Sequence, residues 1–122
     1  MPSTHERKQA LVRGQRAEAF CALRLRLQGY SVVARNWRVP MGEVDIIARR
    51  GKVLAFIEVK ARETQDAARE AVSANQRRRI ENAARAFLAA NPDCANMHIR
   101  FDVMTVAPWQ WPAHIRAAWG MD

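Results

Sequence analysis

Apolar residues first recur at helical spacing. Ala17, Phe20, Leu23 and Leu27 stand three and four positions apart, and Leu11 extends the stripe upstream. This predicts a helix over about Gln15–Gln28, with room for an earlier start. Ser3-Thr4-His5-Glu6 has the form of a capping box, but the periodicity begins later. Gly14 weakens an earlier start, and Gly29 supplies the stop. The pattern then changes to strands. Tyr30–Arg38 is rich in β-branched and aromatic residues and ends before Pro40 and Gly42. Gly42–Arg49 and Lys52–Ala61 follow, joined at Arg50-Gly51 as an antiparallel hairpin. A second helix runs from about Asp66 or Val72 to Ala90, with Ile80, Ala83, Ala84, Phe87 and Leu88 as its apolar stripe. Met97–Val106 is a fourth strand, and His114–Trp119 is a short edge strand or a helical turn. The expected order is α-β-β-β-α-β in one domain over residues 1–122, with residues 1–12 a flexible extension and 108–122 a Trp-rich tail.

Alternation sharpens this picture. On the second strand Glu43, Asp45 and Ile47 are expected on one face, and Val44, Ile46 and Ala48 on the other. The third strand is apolar on both faces until its end, so it belongs at the centre of the sheet. Glu58 and Lys60 then close a buried strand, an unusual place for charge. With the turn at Arg50-Gly51, facing residues have numbers summing to about 101–103, which sets Asp45 opposite roughly 56–58. Two carboxylates brought to one point repel unless a cation neutralises them. Mg2+ or Mn2+ suits them, and Lys60 from the same strand face would stabilise phosphoryl charge or help position an activated water. Spacing alone leaves a second reading open: Glu58 and Lys60 neutralise each other and Asp45 faces solvent.

Composition narrows the partners. The 122 residues carry 20 Lys+Arg and 12 Asp+Glu, a net charge of +8. All the basic residues except Lys8, Lys52 and Lys60 are Arg, and only Arg100 and Arg116 lie beyond residue 92. The planar guanidinium favours phosphate, so DNA is the first partner to consider; a generic Arg-rich surface is the alternative. The apolar content of 49% excludes disorder, and no apolar run is long enough to cross a bilayer. The start MPSTHERKQ lacks a signal peptide's apolar core. Cys21 and Cys94 match no metal spacing and read as reduced thiols. Together these place the chain in the cytoplasm, away from membranes.

The words GEVDIIA (42–48) and FIEVKAR (56–62) carry a resemblance. They occur with Gly14, Ala17-Glu18, Gly29-Tyr30, Arg35-Asn36, Arg100-Phe101-Asp102-Val103 and His114-Ile115. Over about residues 12–119 the chain resembles the YraN-like family of small bacterial proteins. These look like PD-(D/E)XK nucleases and are similar to archaeal Holliday junction resolvases. The resemblance implies a restriction-endonuclease-like α/β fold with a mixed central sheet flanked by helices. It implies Asp45 and Glu58 as metal ligands, with the Val59 carbonyl, and Lys60 as the motif lysine. Glu18 matches an acidic position of the first helix that reaches such a site; an exposed residue beside Arg13, Arg16 or Arg24 is its alternative. Glu43 belongs to the family word. Gln76 stands where the family commonly has Lys, and Ala17 where it tends to have Gly.

These readings point to a Mg2+- or Mn2+-dependent endonuclease acting on DNA, including branched or recombining DNA. Arg38, Arg62, Arg77, Arg78 and Arg79 are its candidate phosphate contacts. A non-catalytic nucleic-acid-binding protein on the same fold is the alternative. A protein-interaction module using the tail is a third reading, and a homodimer would suit resolvase-like action. Trp37, Trp109, Trp111 and Trp119 are expected in the core or at a self-association surface rather than stacked on bases. His5, His98 and His114 are assigned no catalysis, and Asp102 is expected in an ion pair with Arg100 or Arg62.

Overall fold

A computed structural model describes residues 3–61 and 72–120, with residues 5–13 described by backbone only. Its elements are α1 (Thr4–Leu27), β1 (Ser31–Val39), β2 (Gly42–Arg50), β3 (Val53–Ala61), α2 (Ala74–Ala90), a 3-10 turn (Pro92–Cys94), β4 (His98–Val106) and β5 (Ala113–Trp119). The expected α-β-β-β-α-β order holds, and the open segment at 114–119 is an edge strand. The five strands form one mixed sheet in the order β1-β2-β3-β4-β5. β3 and β4 are parallel and every other pair is antiparallel. β3 is therefore central, as its apolar faces require.

Among the described residues, one helix covers each side of the sheet. α2 lays Ile80, Ala83, Ala84 and Phe87 on Val44, Ile47, Leu54, Phe56 and Phe101. α1 lays Cys21 and Leu25 on Ile46, Ala48, Ala55, Ile57 and Met104. Two expectations for α1 change. It starts at Thr4 rather than near Gln15, because one internal glycine costs only about 1 kcal/mol against Ala. Its buried row is Ala17, Cys21 and Leu25, whereas Leu23 and Leu27 are exposed. Two of the three, Ala17 and Cys21, are small, and Leu25 fills the space beyond them. The start of the second helix expected at Asp66 falls outside the described residues.

Gly42 explains the close seating of α2. A Cβ there would lie 1.9 Å from the Arg79 carbonyl oxygen, and helix backbone cannot swing aside as a side chain can. Gly42→Ala is therefore expected to lower stability by about 1–3 kcal/mol or more, the range for overpacked interiors. Urea denaturation against wild type is the check.

Candidate functional site

β2 and β3 pair from Arg50↔Val53 to Ile46↔Ile57, across the two-residue turn Gly51-Lys52. The residue sum is 103, within the expected range, and its continuation sets Asp45 opposite Glu58. The regular pairing stops there. Val44 packs with the α2 side, as does Ile47, whereas Ile46 and Ala48 pack with the α1 side. The alternation therefore slips by one residue at Asp45, so the face assignment for β2 expected from strict alternation is wrong at that end. The slip turns the Asp45 carboxylate into the gap between the strands. Its Oδ2 accepts the Val59 backbone N–H at 2.8 Å.

Glu58 meets Asp45 in that gap, and the two carboxyls hydrogen-bond each other. A carboxyl pair can do so only while it holds a proton. Burial and the neighbouring Asp45 charge push Glu58 up to about 8. Burial also raises Asp45, against the opposing hydrogen bonds from the Val59 amide and from Glu58. The Lys60 ammonium lies 3.5 Å from Glu58 Oε1, with side-chain exposures of 7% and 15%. Both sequence readings are thus partly realised. Glu58 and Lys60 do form an ion pair, but Asp45 faces Glu58 and not solvent.

Glu18 reaches the same place from α1. Its carboxyl is raised by burial and by the Asp45 charge, and the Asn36 side chain donates a hydrogen bond to it. The cations that lower it are Arg35 and Arg38 of β1. Glu18 Oε1 is buried with no hydrogen-bond partner among the described residues. Asn36, on edge strand β1 with a left-handed φ of 52°, carried no role in the sequence reading beyond its place in the Arg35-Asn36 word. Beneath the carboxylates lies Cys21, whose thiol is pushed up to about 12 by burial and by Asp45 and Glu18. It is a free, buried thiol, in line with the reading from sequence.

Other candidates lie further out. Glu43 is half exposed and pairs with Arg38 at 3.6 Å on the rim. Gln76 takes part in a capping box: Ser73 Oγ accepts the Gln76 amide, and Gln76 Oε1 accepts the Ser73 amide. The pattern Ser73-Ala-Asn-Gln76 is a legible signal for that role. Arg78 and Arg79 are exposed on the first turns of α2, and Arg77 lies 5.6 Å above the Trp119 ring. Arg62 lies outside the described residues. Trp37 is packed, its Nε1–H donating to the Ala83 carbonyl and its ring edge-on to Phe87. Trp119 stacks on Phe101. Trp109 is fully exposed, so the core expectation fails for it.

The cation question turns on the donor set. Among the described residues, no three acidic, imidazole or thiol groups converge as a ready-made ligand set. Mg2+ needs no such cage, because it is usually held by one or two carboxylates, waters and substrate phosphate. Two touching carboxyls and the orphaned Glu18 oxygen fit that requirement.

The model of a family described as "Uncharacterised protein family UPF0102" matches residues 17–106. A UPF0102 protein of Methylocella silvestris is 47% identical over 122 residues, covering 100% of this chain and 98% of its own. One from Paramagnetospirillum magneticum is 46% identical, with 99% and 97% covered. One from Parvibaculum lavamentivorans is 49% identical over 106 residues, with 87% and 80% covered. No described helix is long and apolar enough to cross a membrane.

Proposed function

The chain belongs to the uncharacterised protein family UPF0102, and within it we propose a metal-dependent nuclease that hydrolyses DNA phosphodiester bonds. The observation that carries this reading is the carboxyl pair Asp45–Glu58, half-buried at a strand end with the buried Lys60 3.5 Å from Glu58. Two carboxyls this close cannot both ionise readily unless a cation joins them, so the pair holds a proton in the cation's absence. Asp45, Glu58 and the Val59 carbonyl would hold Mg2+ or Mn2+, with Glu18 near them. The bound ion would polarise the phosphate and lower the pKa of a water. The chain's own part is positional. The Val59 amide fixes Asp45, Glu58 would serve as a ligand in its ionised form, and Lys60 would offset charge developing on the phosphate oxygens. Arg38, Arg78 and Arg79 offer phosphate contacts at the rim.

The test is cleavage of duplex, single-stranded and branched DNA with Mg2+, with Mn2+ and with EDTA. Cutting is expected only with metal, lost in Asp45→Ala and strongly reduced in Lys60→Ala. A panel left uncut under every condition, or cut equally by Asp45→Ala, would overturn the reading. The Glu58–Lys60 ion pair favours a second reading, a binding protein on the same fold without cleavage. Salt-dependent DNA binding indifferent to EDTA and to Glu58→Ala, with no cutting, is its signature.

A further inference from the structure

The link from β4 to β5 contains a strained and exposed indole. The Gln110 N–H donates to the Ala107 carbonyl at 3.3 Å, closing a four-residue turn. Pro108 is second in this turn and Trp109 third, with φ 61°. A left-handed third position calls for Gly or Asn, and a bulky aromatic there is an outlier. The turn is anchored at both ends. Ala107 and Pro112 are buried, and the Trp111 ring sits edge-on to Phe20 of α1, 4.9 Å between centroids. Trp109 itself has a relative exposure of 104%. A turn with buried flanks thus holds an indole in solvent in a costly backbone conformation. Observed strain of this kind is a motive for a functional role.

The register locates the indole relative to the carboxyl pair. Lys60 pairs with Thr105 and Ala61 with Val106, so the turn begins just past the β3 end that carries Glu58 and Lys60. Arg38 pairs with Glu43 on the far side of Asp45. One rim of the sheet therefore carries, strand by strand, Arg38, Asp45, Glu58 with Lys60, and the Trp109 turn. Three strand spacings separate its ends, about 15 Å across.

We propose that Trp109 is a stacking platform for an unpaired base of a DNA strand whose backbone crosses the carboxyl pair. This rests on the nuclease reading and narrows it to a substrate class, DNA with unstacked bases beside the scissile phosphate. An indole face accepts any base, whereas bases inside a continuous duplex are already stacked. The net charge of +8 supplies the attraction for the phosphates.

Fluorescence anisotropy with labelled oligo-dT and with blunt duplex, in EDTA, separates the two readings. Trp109→Gly is expected to bind oligo-dT about tenfold more weakly, within the range for one stacked base. Duplex affinity stays unchanged, and Trp109→Phe restores most of the loss. Gly accepts the positive φ, so the thermal midpoint of Trp109→Gly should equal or exceed that of wild type. Unchanged oligo-dT affinity overturns the proposal. So does a lowered midpoint, or loss of self-association in sedimentation with oligo-dT binding intact. Cleavage with Mn2+ is read in parallel. Duplex cutting retained beside an unchanged oligo-dT affinity rejects stacking and keeps the nuclease. Trp109-dependent binding without any cutting rejects the nuclease and supports stacking.

Discussion

Metal-free protein is expected to lose stability as the pH rises from about 4.5 to about 8, and Glu58→Gln is expected to remove most of that loss. The cause is the proton shared by Asp45 and Glu58. In the fold Glu58 is pushed up to about 8 from an ordinary value of 4.5, so the folded chain keeps a proton that the unfolded chain releases between those values. Stability then falls with rising pH across that window, because the native state binds more protons. A displacement of this size is on the order of a few kcal/mol, a large share of a small domain's total. Glu58→Gln keeps the shape and removes the charge, so the variant should melt higher than wild type at pH 8 in EDTA. It should also lose metal-dependent cleavage. Mg2+ reverses the order: a cation bound only to the folded chain stabilises wild type by about 3 kcal/mol at a hundredfold excess over Kd, and Glu58→Gln much less. Thermal melts at pH 5 and pH 8, each with EDTA and with Mg2+, check all four expectations. Parallel curves for the two proteins would mean that the carboxyls share no proton.

A residue that weakens the bare fold and strengthens the loaded one separates a site from an ordinary ion pair. Much of this site was legible in the sequence. An apolar β3 ending in Glu58 and Lys60, paired through a short turn with an acidic strand, places Asp45 and Glu58 together whatever the flanking detail. The slip at Asp45 was not legible, because GEVDIIA fits strict alternation equally well and only packing reveals Val44 and Ile46 on opposite sides. The buried face of α1 was misread for a similar reason. Its contact row is built from Ala17 and Cys21, whose small side chains signal less than Phe20, Leu23 and Leu27. Asn36 meets Glu18 from its own left-handed position on β1, downstream of a register irregularity between Val32 and Ala34. Neither feature has a pattern along the chain. Gln76 is the reverse case: its capping box stands in the sequence, and the family position drew attention to catalysis instead.

Asp102→Ala is expected to destabilise the domain by about 3–5 kcal/mol, the cost of breaking a buried ion pair from one side. The ion pair with Arg100 was foreseeable from their spacing on one strand face, but its other partners were not. Asp102 is fully buried and accepts both Nε and Nη2 of Arg100 at 2.8 Å. It also bonds His114 Nε2 at 2.7 Å and accepts the Ala117 amide at 3.0 Å. Ala117 aims its amide inward from a left-handed φ of 50° on β5. Arg100 and His114 extend the cluster to Tyr30 and Gln28, where the chain leaves α1. One carboxylate thus ties the β5 edge and the end of α1 to β4. Burial alone would raise its pKa, but the bonds from His114, Arg100 and the Ala117 amide outweigh that and hold it below the ordinary carboxylate value. Its contribution is therefore complete above about pH 4 and is lost as acid protonates the folded form, opposite in sign to Glu58. Urea denaturation should show a wide gap between wild type and Asp102→Ala at pH 6, narrowing toward pH 3. Asp102→Asn, which keeps acceptor geometry but not charge, should fall between the two. A gap that stays constant with pH would assign the loss to packing rather than to the buried charge.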